Sequence, residues 1–307
     1  MSTSRFRMVI VAASLVLAGA AAHASSFERQ VAADPRGEVD VSNIAGSILV
    51  SGWDQPTVAV TADLPSDTQR VKVTSGHGRT SVCVRYDHGC DSMGFFGDKT
   101  PVRLELHVPR GSELDISGVS AEITSSGITG SQHLHTVSGD IHAALGAGDD
   151  DASSVSGNIT LEGSGADGAL HVSSVSGDLS VRNVADELEA RTVSGTLTAG
   201  LSAARRVRLN TTSSNIDLDA RLTSGATVEI ETVSGDEKVR ASAPGGYAYE
   251  VRSFSGDIRD CFGQQPDRNH YGPGSRLDGT RGGGDGHVRI KSLSGDISLC
   301  DRMKGGF

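Results

Sequence analysis

Three aspartates, Asp236, Asp257 and Asp296, each follow a glycine in a near-identical phrase: "TVSGDE", "SFSGDI" and "SLSGDI". Carboxylates held side by side split their pKa values, so one can act as acid and another as base on a glycosidic bond. That chemistry would make the chain a polysaccharide lyase or hydrolase, and this is the enzymatic alternative. Against it, aromatic residues are 4% of the chain, with Trp53 the single tryptophan, whereas a sugar-binding cleft needs aromatic platforms. Only the segment 262–286, with Arg268, His270 and Tyr271, offers a cleft wall.

Other residues invite metal or recognition chemistry. Asp149, Asp150 and Asp151 share one turn and would suit Ca²⁺. The Gly/Asp motif does not recur in each repeat, so a solvated acidic turn is expected instead. His133, His135, His142 and His171 cluster early, but His133 and His135 flank an inward Leu134 and should stand exposed and unliganded. A column of Thr136, Ser154, Ser174, Thr192, Thr211, Thr232, Ser253 and Ser292 could present hydroxyls to a glycan or to ice. Inward hydroxyls bonded to backbone at a corner are the favoured reading. No Gly-x-Ser-x-Gly elbow, His-Glu-x-x-His, Cys-x-x-Cys or phosphate loop is present. The expectation is therefore no catalytic residue, no cofactor and no metal.

All these residues are positioned by one repeat. The phrase recurs with glycines at 139, 157, 177, 195, 235, 256 and 295, and degenerate copies put Ala121 and Ser214 in the same slot. The steps are 18, 18, 20, 18, 19, 21, 21 and 39 residues, a period that signals a solenoid. Val137, Val155, Val175 and Val193 stand two residues before the glycine; Ile141, Ile159, Leu179 and Leu197 stand two after it. These β-branched columns read as short strands, and stacking is expected to bury both columns. The predicted fold is all-β: a single-stranded right-handed parallel β-solenoid with about 20 residues per coil. The glycine is expected to supply unusual φ at a corner, and the Asp or Asn after it to cap the turn.

Residues 1–24 carry Arg5, Arg7, a short apolar run and "AHA", and read as a secretory signal peptide. Losing the two arginines takes the formal charge from −10 to −12, and no basic stripe suggests nucleic acid. No other stretch is apolar enough to span a bilayer. In an exported chain the four cysteines should be paired. Cys83 and Cys90 are neighbours. Cys261 and Cys300 each lie five residues after a phrase glycine, so in adjacent coils they fall within disulfide range. The 39-residue step then holds an ejected loop, 262–286. Residues 25–110 form a strand-rich N-terminal capping region, in which Met93, Phe95 and Phe96 cover the open end or contact a partner. Residues 111–307 form the solenoid.

The phrases "NIAGSILVSGWD", "LELHVPRGSELDISG" and the run of "VSGDI" together resemble the bacterial putative-adhesin family, over roughly residues 38 to 300. The resemblance implies an exported β-solenoid of unknown function and brings no catalytic residues with it. The sequence departs from the pattern at residues 212–215, at segment 262–286 and at Glu237, which is costly in an apolar column unless near an edge. The expected function is a non-enzymatic, adhesin-like binding or scaffold module of the cell envelope, periplasmic or on the surface. Its partner would be an unidentified protein or glycan, and its loops 91–100 and 262–286 the variable contacts.

Overall fold

A computed structural model describes residues 25–65, 70–85, 100–268 and 273–301. Cys90, Met93, Phe95, Phe96, His270 and Tyr271 lie outside these, as do residues 1–24, which were expected to be a signal peptide. Among the described residues the chain is all-β, without a helix, and its strands join in one sheet. None forms a helix long and apolar enough to cross a membrane.

Like residues pair with like residues in parallel through the middle of the chain. Ile141 pairs with Ile159, and Ile159 with Leu179; Ala152 pairs with Leu134 and with Val172. These side chains point inward and form one continuous core. Each buried Ile or Leu contributes roughly 1.5–3 kcal/mol, and each strand's backbone bonds to the level above and below.

The two ends depart from a simple spring. At the C-terminal end Glu231 pairs with Lys291, and Ser292 pairs with both Thr232 and Ser253. The level containing Gly295 therefore lies between those of Gly235 and Gly256, although it comes last in sequence. At the N-terminal end Glu38–Trp53 lies between Glu113–Ser126 on one side and Arg79–Arg85 with Val102–Pro109 on the other. At each end, then, a level sits between two that do not flank it in sequence. The stack continues across residue 110, the expected edge of the capping region, because Glu38–Trp53 pairs at both ends of its length with Glu113–Ser126.

Antiparallel strands close the stack. Thr57–Leu64 pairs with Val102–Pro109 and Ser25–Ala32, and Arg70–Gly76 pairs with Arg79–Arg85. At the other end Ser275–Gly282 runs antiparallel along Gly246–Ser255. Within the segment expected as an ejected loop, 262–286, Ser275–Gly282 is thus a capping strand. Tyr247 is buried beneath it, Tyr249 packs against Phe262 with ring centroids 5.9 Å apart, and Arg281 stacks over Phe262 at 4.1 Å. An open strand edge is covered in this way.

Cys261 and Cys300 are bonded, with Cα atoms 4.9 Å apart, and join the outermost level to the inserted one. Cys83 is disulfide-bonded, and its expected partner Cys90 lies outside the described residues. Cys261→Ser with Cys300→Ser is expected to cost about 4 kcal/mol, because a 39-residue closed loop is released in the unfolded chain. Denaturant titration of the variant against the parent, with the inner levels still folded, checks this.

Candidate functional site

The repeated phrase forms a corner, and its atoms explain its residues. The hydroxyl three before the glycine is buried and accepts the glycine N–H: Thr136 Oγ1 from Gly139 at 3.1 Å, Ser154 Oγ from Gly157 at 2.8 Å. The same hydroxyl reaches the carbonyl of the preceding level, as Ser154 does to Gly139 O at 3.4 Å. The hydroxyl column therefore faces inward and presents nothing to a glycan or to ice.

The glycine is required by close approach. A Cβ at Gly139, Gly157, Gly177 or Gly256 would lie closer than 3.0 Å to the carbonyl oxygen of the adjoining level. None of these four has a positive φ, so the expected left-handed corner is corrected for them; Gly195, Gly235 and Gly295 do have one.

The residue after the glycine ties levels together. Asp140 Oδ1 accepts the N–H of Asn158 at 2.7 Å, Asn158 Oδ1 that of Asp178 at 2.9 Å, and Asp178 Oδ1 that of Thr196 at 2.7 Å. The ladder resumes from Asn215 to Asp236, Asp296 and Asp257, in stack order. The three aspartates proposed as acid and base are therefore neighbouring rungs, each of Asp236 and Asp296 holding a backbone N–H. Asp257 also meets Arg268 at 2.9 Å.

The acidic turn is structural as well. Asp150 is buried, not solvated, and accepts the N–H of Gln132 at 2.9 Å. Burial pushes its carboxyl up to about 6. Asp149 accepts the N–H of Ala169 at 3.0 Å. The histidines stand at the surface beside carboxylates of neighbouring levels: His133 near Glu113 at 3.7 Å, His135 near Asp151 at 3.5 Å, His171 near Glu189 at 3.5 Å. Among the described residues no three His, Cys, Asp or Glu side chains converge as a metal would need. Trp53 stacks on His107 and donates its indole N–H to Thr57 O at 2.8 Å, which places it in the fold's own packing.

The feature that the sequence reading placed wrongly is the valine column. Val137, Val155, Val175, Val193, Val233, Leu293 and Phe254 are 44–54% exposed, and they are the exposed large hydrophobics among the described residues. All occupy the position two before the glycine, so they form one apolar stripe along the stack. Ser138, Ser156, Ser176 and Ser194 lie beside them, partly or fully exposed, with the Asx ladder beyond. Scattered surface valines need no explanation, but an aligned row marks a contact surface.

Residues 202–300 match a family model described as Toastrack DUF4097. No curated protein matches the sequence. Among solved structures, a putative lipid binding protein from Parabacteroides distasonis is 12% identical, with 89% of this chain and 96% of that one covered and a TM-score of 0.43. A putative adhesin from Bacteroides fragilis is 9% identical, with 91% and 98% covered and a TM-score of 0.39. A second putative adhesin, from Parabacteroides distasonis, is 10% identical, with the same coverage and a TM-score of 0.37. Likenesses this distant carry no function across. The match to the Toastrack model over residues 202–300 falls on the part of the chain whose repeated phrases resemble the putative-adhesin class.

Proposed function

We propose that this chain is an exported, non-enzymatic binding or scaffold module of the cell envelope, adhesin-like, which recognises a partner with the exposed valine stripe. The observation that carries the reading is that stripe: an apolar column running from Val137 to Val193 and, beyond Thr212, from Val233 to Phe254, held at strand spacing by the ladder. The paired cysteines support an oxidising compartment, in the periplasm or at the surface. Parallel offsets of 18 and 20 residues support a coil of about 20 residues, and the general handedness of parallel crossovers supports a right-handed one. Asp236, Asp296 and Asp257 serve here as rungs, which favours binding over hydrolysis.

The double substitution Val155→Lys with Val175→Asp, which places opposite charges on adjacent levels, tests the reading. Both side chains are exposed, so the melting temperature should stay within about 2 °C of the parent. Binding to envelope glycans and surface proteins, screened on immobilised protein, should fall at least tenfold. Unchanged binding in a folded variant, or turnover of a polysaccharide by the parent that Asp257→Asn abolishes, would overturn it.

A further inference from the structure

At the C-terminal end of the stripe the valine is replaced by Phe254, 54% exposed. It lines a cavity of about 520 Å³, within the size range of small-ligand sites. The cavity is also lined by Arg252, Arg268, Arg276 and Lys291, with Asp267 the acid among its lining residues. These cations gather in a chain whose formal charge is −10, with Asp267 across from Arg276 and Glu231 across from Lys291 at the two ends of their row.

The cations are not scattered. Arg252 pairs directly across from Arg276 on the capping strand and from Lys291 on the inserted level. Three positive side chains therefore stand in a row on three adjacent strands, where like charges directly opposite are destabilising. Other rows pair opposite signs between levels, as Arg205 with Asp186 at 2.7 Å, Arg206 with Glu187 at 3.0 Å and Arg208 with Glu229 at 2.9 Å, though Asp40 stands across from Asp115 and Arg70 across from Arg85. Arg252 and Arg276 lean on Glu250 and Asp278, Lys291 on Glu231, and Arg268 on Asp257. Exposed ion pairs of this kind are weak and can exchange for a ligand carboxylate. A guanidinium takes a carboxylate in a two-point grip, and the ring of Phe254 offers a flat apolar floor.

We propose that this cavity binds a short acidic oligosaccharide, with uronate carboxylates on the Arg276–Arg252–Lys291 row and a pyranose ring against Phe254. The chain's acidic remainder repels a long polyanion, so a two- or three-ring segment or a chain end is the ligand. The site rests on the reading of the chain as a binding module, but it is separate from the valine stripe's middle.

The test is calorimetric titration of the disulfide-intact chain with trigalacturonic acid, its neutral counterpart galactotriose, and a sulfated disaccharide. The expected result is saturable binding of the uronate, weakened by added salt, and no binding of the neutral sugar. Arg252→Ser should weaken the uronate at least tenfold. Phe254→Val, which restores the residue found at the other levels, should weaken it about fivefold with the melting temperature unchanged. Val155→Lys with Val175→Asp should leave uronate binding intact, so failure of the stripe and failure of this site are told apart. Equal binding of neutral and acidic sugars, preference for the sulfated disaccharide, or uronate binding indifferent to both Arg252→Ser and Phe254→Val would overturn the proposal.

Discussion

Gly157→Ala is expected to break the middle of the stack, at a cost above about 4 kcal/mol. A methyl group there would lie closer than 3.0 Å to Gly139 O and to Ser154 Oγ. The oxygen cannot move away, because the adjoining levels are hydrogen-bonded on both sides of it: Ser156 N to Val137 O and Ile141 N to Asn158 O, each at 2.9 Å. Nor can Ser154 Oγ turn aside without leaving the Gly157 N–H unbonded in a buried corner. The residue's φ lies outside the left-handed region, so backbone preference would not predict the loss. Gly76→Ala is the control, since no atom lies within 4 Å of the added methyl, and it should change stability by less than about 0.5 kcal/mol. Denaturant unfolding of both variants, followed by circular dichroism, checks the pair.

Glu237→Ile is expected to stabilise the chain, and by more as pH rises. Glu237 occupies the inward column between Ile216 and Ile297 and is 0% exposed. Neither carboxyl oxygen has a hydrogen-bond partner. Burial pushes the carboxyl up to about 8; Ser292 and Thr232 pull it back but do not reach bonding geometry. The folded chain therefore holds a proton that the unfolded chain releases near the ordinary value of 4.5. Below that pH the group carries no ionisation penalty. Between pH 4.5 and 8 the penalty grows, to about 3 kcal/mol at pH 7, and it levels off near 5 kcal/mol above pH 8. Replacing the carboxyl by isoleucine removes the penalty and rebuilds the column. Glu237→Gln should flatten the same pH dependence while gaining less stability, since an unpartnered amide stays buried. The stability difference between parent and each variant, measured from pH 4 to 9, gives the result. A constant difference across that range would show that the Glu237 carboxyl has the same pKa in the folded and unfolded chain, against the account.

The strand type was legible in the alternation of β-branched residues, and the adjacency of Cys261 with Cys300 in their equal spacing from a phrase glycine. The facing of the valines was also written in the sequence but was read as core. Leu134 and Thr136 share parity and both point in, so Val137 must point out with Ser138 on the corner. A β-branched residue beside a glycine resembles core, and the buried hydroxyl resembles surface; the N–H of Gly139 reverses both. Glu237 lay in an apolar column as expected, yet at an interior level, because the inserted level covers it. The order of the last levels was not legible. Every phrase fits beside every other, so the columns fix which residues align and leave the order within a column open. The 39-residue step is long enough to pass over one level, and the disulfide is satisfied in either order.

That order is where the stacked ladder is tested most directly. Cysteine pairs at positions 231 with 291, 252 with 291, and 231 with 252 probe three exposed sites on neighbouring levels. Adjacent levels are about 4.8 Å apart, inside disulfide range, and alternate levels about 9.6 Å apart, outside it. Oxidised under native conditions and read by peptide mass, 231–291 and 252–291 should bond and 231–252 should not. A bond at 231–252 with none at 231–291 would contradict the inserted level, and absence of all three would contradict the stack itself.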